Sequence, residues 1–141
     1  MTILPKDIKN FNRLVKFTEK RFNDEILTNG KYLISAMIID KNRFSLGFND
    51  YIKTHPFTLQ TNHIHHTISK HAEIDALIKW NKNWDISDAT IYLCGLTNSG
   101  NFCISCKPCI PCLNKLKISG IKRIIYSNYV DDKFILNSLI I

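Results

Sequence analysis

Four of the chain's five cysteines stand at even spacing, Cys103-x2-Cys106-x2-Cys109-x2-Cys112. The opening residues, MTILPKDIKN, lack the apolar core and small-residue cleavage site of a secretory leader. Such cysteine density therefore points to metal or redox chemistry rather than to a disulfide framework. One reading is an iron–sulfur cluster. The ferredoxin run, however, takes three residues before its last cysteine and a proline after it. Here the last gap is two and Leu113 follows, so a cluster is disfavoured.

The stronger reading joins Pro108-Cys109-Ile110-Pro111-Cys112 to His71-Ala72-Glu73. Cysteines at i and i+3 in the first turn of a helix project to one side, as two ligands of one zinc must. The positive end of that helix favours thiolates, the form a metal binds. With His71 as third ligand, a fourth position remains for water, which makes a catalytic rather than a structural zinc arrangement. Glu73 lies about 200° from His71 around a regular helix. The two converge only if His71 sits at the helix entrance or both lie on extended backbone. A converged carboxylate could take a proton from water and return it to a leaving nitrogen. Alone, Glu73 reads as a first-turn acid favoured by the helix dipole; beside His71 and the cysteine pair, the catalytic role is preferred.

The elements that must position these residues alternate between helix and strand. Residues 7–22 place Ile8, Phe11, Val15 and Phe22 at near-helical spacing, with Lys and Arg between them. Residues 31–40 (KYLISAMIID) form an almost unbroken apolar run, suited to a strand buried on both faces. A turn at 40–42 leads to a second strand over 43–49. Residues 50–70 are polar and hold His55, His63, His65 and His66. A loop of about twenty residues in a compact domain is commonly functional. From His71 the pattern is helical, residues 89–96 read as a third strand, and 98–100 as a turn. Pro108 marks a helix start and Gly120 its cap. A fourth strand follows over 121–127, and the strand–helix–strand crossover favours a parallel pair. Residues 134–141 fit either a strand or a helix, completing the core or offering an apolar contact. The order predicts a single α/β domain over residues 1–141, with helices on a central sheet.

Composition narrows the setting. Hydrophobic residues make up 45% and charged residues 22%, a globular rather than a disordered balance. No apolar run approaches the roughly 20 residues that cross a bilayer. No membrane partner is expected, and the expected location is the cytoplasm, that of a host if the source is viral. The net charge is +7. Residues 89–130 contain no acid, which could attract phosphates on a mononucleotide or a polymer. Yet Ile (22), Lys (15) and Asn (14) dominate, and Lys outnumbers Arg 15 to 4. An AT-rich coding sequence explains that bias and is preferred to polymer binding.

H-x-E followed by P-C-x-x-C resembles the signature of zinc-dependent nucleobase deaminases. Residues 33–49, 71–80, 90–96 and 105–127 follow that superfamily's order of elements. The stretch PCIPCLNKLKISGIKRIIYSN is similar to the deoxycytidylate deaminase branch, including phage-type members. The resemblance implies a cytidine deaminase-like three-layer α/β/α domain with a central mixed sheet. It implies zinc held by His71, Cys109 and Cys112, with Glu73 shuttling protons without binding the metal. The reaction is hydrolytic: water attacks C4 of cytosine, or C6 of a purine, and ammonia leaves. A cytosine nucleotide, dCMP above others, is the implied substrate, with a nucleic-acid base deaminase or a non-enzymatic zinc module as alternatives. Asn49 matches a position that contacts the substrate sugar, and Ala72 is the other implied substrate contact. A homo-oligomer is implied as well.

Two departures stand out. The 34 residues between Glu73 and Pro108 exceed the spacing of compact members, and a strand–turn–strand over 90–104 could absorb them. The cysteine helix also lacks the Met and small residues that mark tRNA adenosine deaminases. Some phage-type members carry an extra structural zinc, which Cys103 and Cys106 could hold with two of the loop histidines; plain loop thiols are preferred. Cys94 reads as a buried small hydrophobe, and Trp80 and Trp84 as core or surface cover. For Tyr51, Lys53 and His55, substrate contact and loop solvation are equally weighted.

Overall fold

A computed structural model of the chain describes residues 2–24, 31–51 and 70–141. The apolar run becomes β1 (Tyr32–Asp40), buried along nearly its whole length because both of its faces are covered. A two-residue turn, with Lys41 at φ 57°, reverses the chain into β2 (Arg43–Phe48). β1 pairs antiparallel with β2, Asp40 opposite Arg43. On its other side it pairs antiparallel with β3 (Thr90–Thr97), Tyr32 opposite Thr97. β4 (Arg123–Val130) runs parallel to β3, as the crossover rule requires, and β5 (Lys133–Ile140) returns antiparallel to β4. The sheet order is β2-β1-β3-β4-β5.

Helices cover both faces. α1 (Pro5–Asn23) lays Phe11 and Leu14 on Met37, Tyr92, Cys94 and Ile125. On the opposite face, α2 (Ala72–Lys79) and α3 (Ile110–Ser119) bury Ala76 and Leu116 against Ala36, Ile38, Leu93 and Ile124. The result is the expected three-layer α/β/α arrangement on a mixed sheet. Cys94 and Trp80 are buried in these layers, and Trp84 packs on the second of them. Among the described residues, no helix is long and apolar enough to cross a membrane.

Three expectations need correction or completion. The cysteine helix begins at Ile110, not at Pro108. The preceding segment is still tied to β4, with the Cys106 amide on the Ser127 carbonyl at 3.0 Å, so the chain can turn helical only after Cys109. Pro111, not Pro108, takes the early helical position that suits its fixed φ. The return strand after β3 is reduced to one bridge, Leu96 with Phe102. The final segment is a strand, because Asp131 and Asp132 at φ 51° and 60° make a tight hairpin turn that sends it back along β4. Phe134 then packs on Phe11, Phe102 and Tyr129.

Asp7 ties the layers together. It is fully buried, and it accepts hydrogen bonds from Arg123 Nη1 at 2.7 Å and Nη2 at 2.6 Å. Tyr92 Oη donates at 2.6 Å and the Leu4 amide at 2.7 Å. Burial works against the Asp7 charge, but Arg123, Tyr92 and Leu4 outweigh it and lower the carboxyl from 3.8 to about 2. A pKa lowered on folding stabilises the protein above the unfolded value, and the gain is lost as pH falls through the folded one. Wild-type stability is therefore expected to drop by about 2 kcal/mol between pH 4 and pH 2 on this group's account. Asp7→Asn should cost about 3 kcal/mol at pH 7 in urea unfolding, because Arg123 is left without its counter-charge.

Candidate active site

His71 occupies the entrance to α2 with extended backbone (φ −80°, ψ 152°), and the helix proper starts one residue later. The angular separation that a continuous helix would impose on His71 and Glu73 therefore does not apply. Upstream, the amide and carbonyl of Lys70 pair with Asp50 at 2.9 and 2.8 Å. Downstream, α2 is pinned to β2: Ser45 Oγ donates to the Ala76 carbonyl at 2.8 Å and the Phe48 amide to Asp75 Oδ2 at 3.0 Å. Asp75 also bridges Lys70 at 2.9 Å and Lys79 at 2.7 Å. Burial opposes its charge, but Lys79, the Phe48 amide and Lys70 together hold its carboxyl below the usual range. Gly47 permits the close approach, since a methyl there would collide with the Ala76 amide and the Ala72 carbonyl. Sequence reading passed over Asp75 and Gly47; the only local hint was the i,i+4 spacing of Asp75 and Lys79.

The second helix entrance faces the first. Cys109 caps α3 in extended conformation (φ −68°, ψ 162°), its carbonyl receiving the Leu113 amide at 2.9 Å. Cys112 lies in the first turn and is completely buried. The ligand atoms of His71, Cys109 and Cys112 lie within 4.8 Å of one another. One imidazole nitrogen and two thiolates are a zinc donor set, and bonds of about 2.0–2.3 Å fit a cluster of that size. Two helix N-termini converge here, and their dipoles favour the thiolate form.

Crowding and burial favour the protonated form of Cys112, His71 and Glu73. The Cys112 thiol is pushed far up by its hydrogen bond to Cys109, by burial and by Glu73. Burial disfavours charge on His71, but the Cys109 hydrogen bond and the charges of Glu73 and Cys109 raise it overall. Burial pushes the Glu73 carboxyl above the ordinary carboxylate range. Glu73 is 5% exposed, too enclosed to be a solvated first-turn acid.

A cavity of about 290 Å³ opens over this cluster, at the start of β1 and the end of β3. His71, Glu73 and Cys109 lie in its lining, as do both sequence-predicted substrate positions, Asn49 and Ala72. Asn49 is largely buried and braces β1: its Oδ1 accepts from the Ile34 amide at 2.7 Å, and its Nδ2 donates to the Tyr32 carbonyl at 3.0 Å. Tyr51 braces the start of β1, its hydroxyl accepting from the Tyr32 amide and donating to the Tyr32 carbonyl, both at 2.9 Å. Tyr32, Ile34, Ser105 and Lys107 are lining residues that sequence reading did not select. No local motif marks them, because β1 and the 103–107 segment meet only through the sheet. Cys103 and Cys106 also line the cavity. Lys53, His55, His63, His65 and His66 lie outside the described residues, and with them the histidine partners of a second zinc.

The family model for the cytidine and deoxycytidylate deaminase zinc-binding region matches residues 9–128. No curated protein matches the chain in sequence. In structure it is similar to the cytidine deaminase from Burkholderia pseudomallei. That likeness has a TM-score of 0.58 at 12% identity, covering 90% of this chain and 91% of the other. At that identity, the likeness is one of fold.

Proposed function

Because this chain belongs to the cytidine and deoxycytidylate deaminase zinc-binding family, we propose that it hydrolyses the exocyclic amine of a cytosine nucleotide, dCMP to dUMP, with release of ammonia. The observation that carries this reading is a cavity that opens over a His/Cys/Cys donor set and is lined by a buried carboxyl and a lysine. His71, Cys109 and Cys112 hold the zinc, which when bound supplies Lewis-acid activation of water. Glu73 takes the proton of the attacking water and delivers it to the leaving nitrogen. A carboxyl raised by burial toward the working pH suits both transfers. Ala72 and Ile34 give the pyrimidine ring an apolar wall, and Asn49, fixed by its bonds to β1, faces the sugar.

The phosphate is assigned to Lys107, the one Lys or Arg in the cavity lining among the described residues. It is exposed, on a stretch of chain (89–130) that contains no acid. A charged hydrogen bond contributes roughly 1.5 kcal/mol, so Lys107→Ala should cut the dCMP-to-deoxycytidine ratio of kcat/KM about tenfold. The other basic cleft, lined by Lys6, Lys9, Arg13 and Lys41, sits at the far ends of β1 and β3, roughly 20 Å away along the strands. That cleft is thus separate from the site, which favours a free nucleotide over a polymer.

The domain is taken as residues 1–141, working in the cytoplasm. A homo-oligomer fits edge strand β5, where Ile135 and Ile140 are exposed. The test is a panel of cytosine, cytidine, deoxycytidine, CMP, dCMP, adenosine, single-stranded DNA and tRNA with zinc-loaded protein. Each product is read by mass, since replacing an amine by a carbonyl adds about 1 Da. Turnover of dCMP well above deoxycytidine supports the reading; turnover confined to a polymer replaces it with nucleic-acid editing.

A further inference from the structure

We propose that Cys103 and Cys106 are a reversible disulfide site on the cavity wall, oxidised by exchange with a low-molecular-weight disulfide. The deamination proposed above uses neither sulfur, so this chemistry is separate from it. Both residues line the cavity, Cys103 half-buried and Cys106 at 7% exposure. The Cys103 amide bonds to the Gly95 carbonyl at 2.9 Å and the Cys106 amide to the Ser127 carbonyl at 3.0 Å. Those anchors belong to β3 and β4, neighbouring strands of the sheet, so the two cysteines, three residues apart, are held on one wall. Gly95 leaves room for the first sulfur, since a Cβ there would stand 3.0 Å from Cys103 Sγ.

The two thiols are near neighbours on one wall, and they divide the work. The neighbouring Cys106 thiol lowers Cys103 against the opposing effect of burial. The proximity of Cys103, together with burial, raises the Cys106 thiol. Cys103, the more accessible of the two, is the attacking thiol and buried Cys106 the resolving one. Cys103 attacks one sulfur of the small disulfide and expels the first thiolate. Cys106 then attacks Cys103, expels the second thiolate and gives up its proton, leaving one protein disulfide and two small thiols. Cys94 is no competitor, being enclosed under α1 with its thiol pushed up to about 12 by burial.

The experiment incubates zinc-loaded protein with glutathione disulfide, blocks remaining thiols by alkylation, and reads intact mass, peptide map and zinc content. Expected is a loss of two hydrogens, about 2 Da, with the crosslink inside residues 103–106, zinc retained, and reversal by dithiothreitol. Cys106→Ser should stop at a mixed disulfide on Cys103, and Cys103→Ser should yield neither product. Absence of the crosslink in wild type, a mixed disulfide that never closes, or a bridge to Cys109 or Cys112 with zinc release would each overturn the proposal. None of these readouts depends on deaminase turnover, so the two proposals fail separately.

Discussion

Glu73→Gln is expected to keep its zinc and to lose about 10²- to 10⁴-fold in kcat on the preferred cytosine substrate. Glutamine has nearly the same shape, so α2 should remain seated on β2 and His71 at the helix entrance. What disappears is a carboxyl that can accept a proton and give it back. The site supports that role specifically: Glu73 is enclosed, its carboxyl is raised by burial, and it lies beside Cys112 and His71. Metal analysis and steady-state kinetics on the same preparation decide the matter. Zinc loss from this variant would make Glu73 a ligand, and near-normal turnover would remove it from the mechanism.

The second large effect concerns the metal. Cys112→Ser should bind zinc poorly and turn over no substrate, while remaining folded enough to show the helix content of the wild type. Cys112 is fully buried in the first turn of α3, and serine is close to it in size but is a far weaker zinc ligand. The protonation pattern adds a pH signature. In the metal-free protein the Cys112 thiol and the His71 imidazole are both raised, so each keeps its proton to higher pH than the free group. Zinc must displace those protons, and its affinity should climb with pH and fall on acidification. Competition with a chromophoric chelator between about pH 6 and 8 measures this. An affinity flat across that range would mean that these groups are not the ligands.

The candidate donor set was largely legible in the chain because it depends on residue types at short spacing. C-x2-C after a proline, H-x-E ahead of an apolar helix, and alternating strand and helix runs each carry a local physical meaning. Continuous apolar runs announced β1 and β3, and Gly120, at φ 99°, ends α3 as its position predicted. Local pattern could not say whether His71 lay inside a helix or at its entrance. The tertiary structure decided that, through the Asp50–Lys70 bridge and the packing of α2 over Gly47. It also decided that the cysteine helix waits until Ile110, since the preceding residues are bound to β4. Asp7, Asp75, Tyr32 and Lys107 escaped notice for one reason: their partners lie on other elements of the sheet and its layers. A chain determines by itself what its near neighbours can do, but burial and convergence exist only once distant segments share a core. That is what raises Glu73, gathers His71 with Cys109 and Cys112, and turns separate motifs into one site.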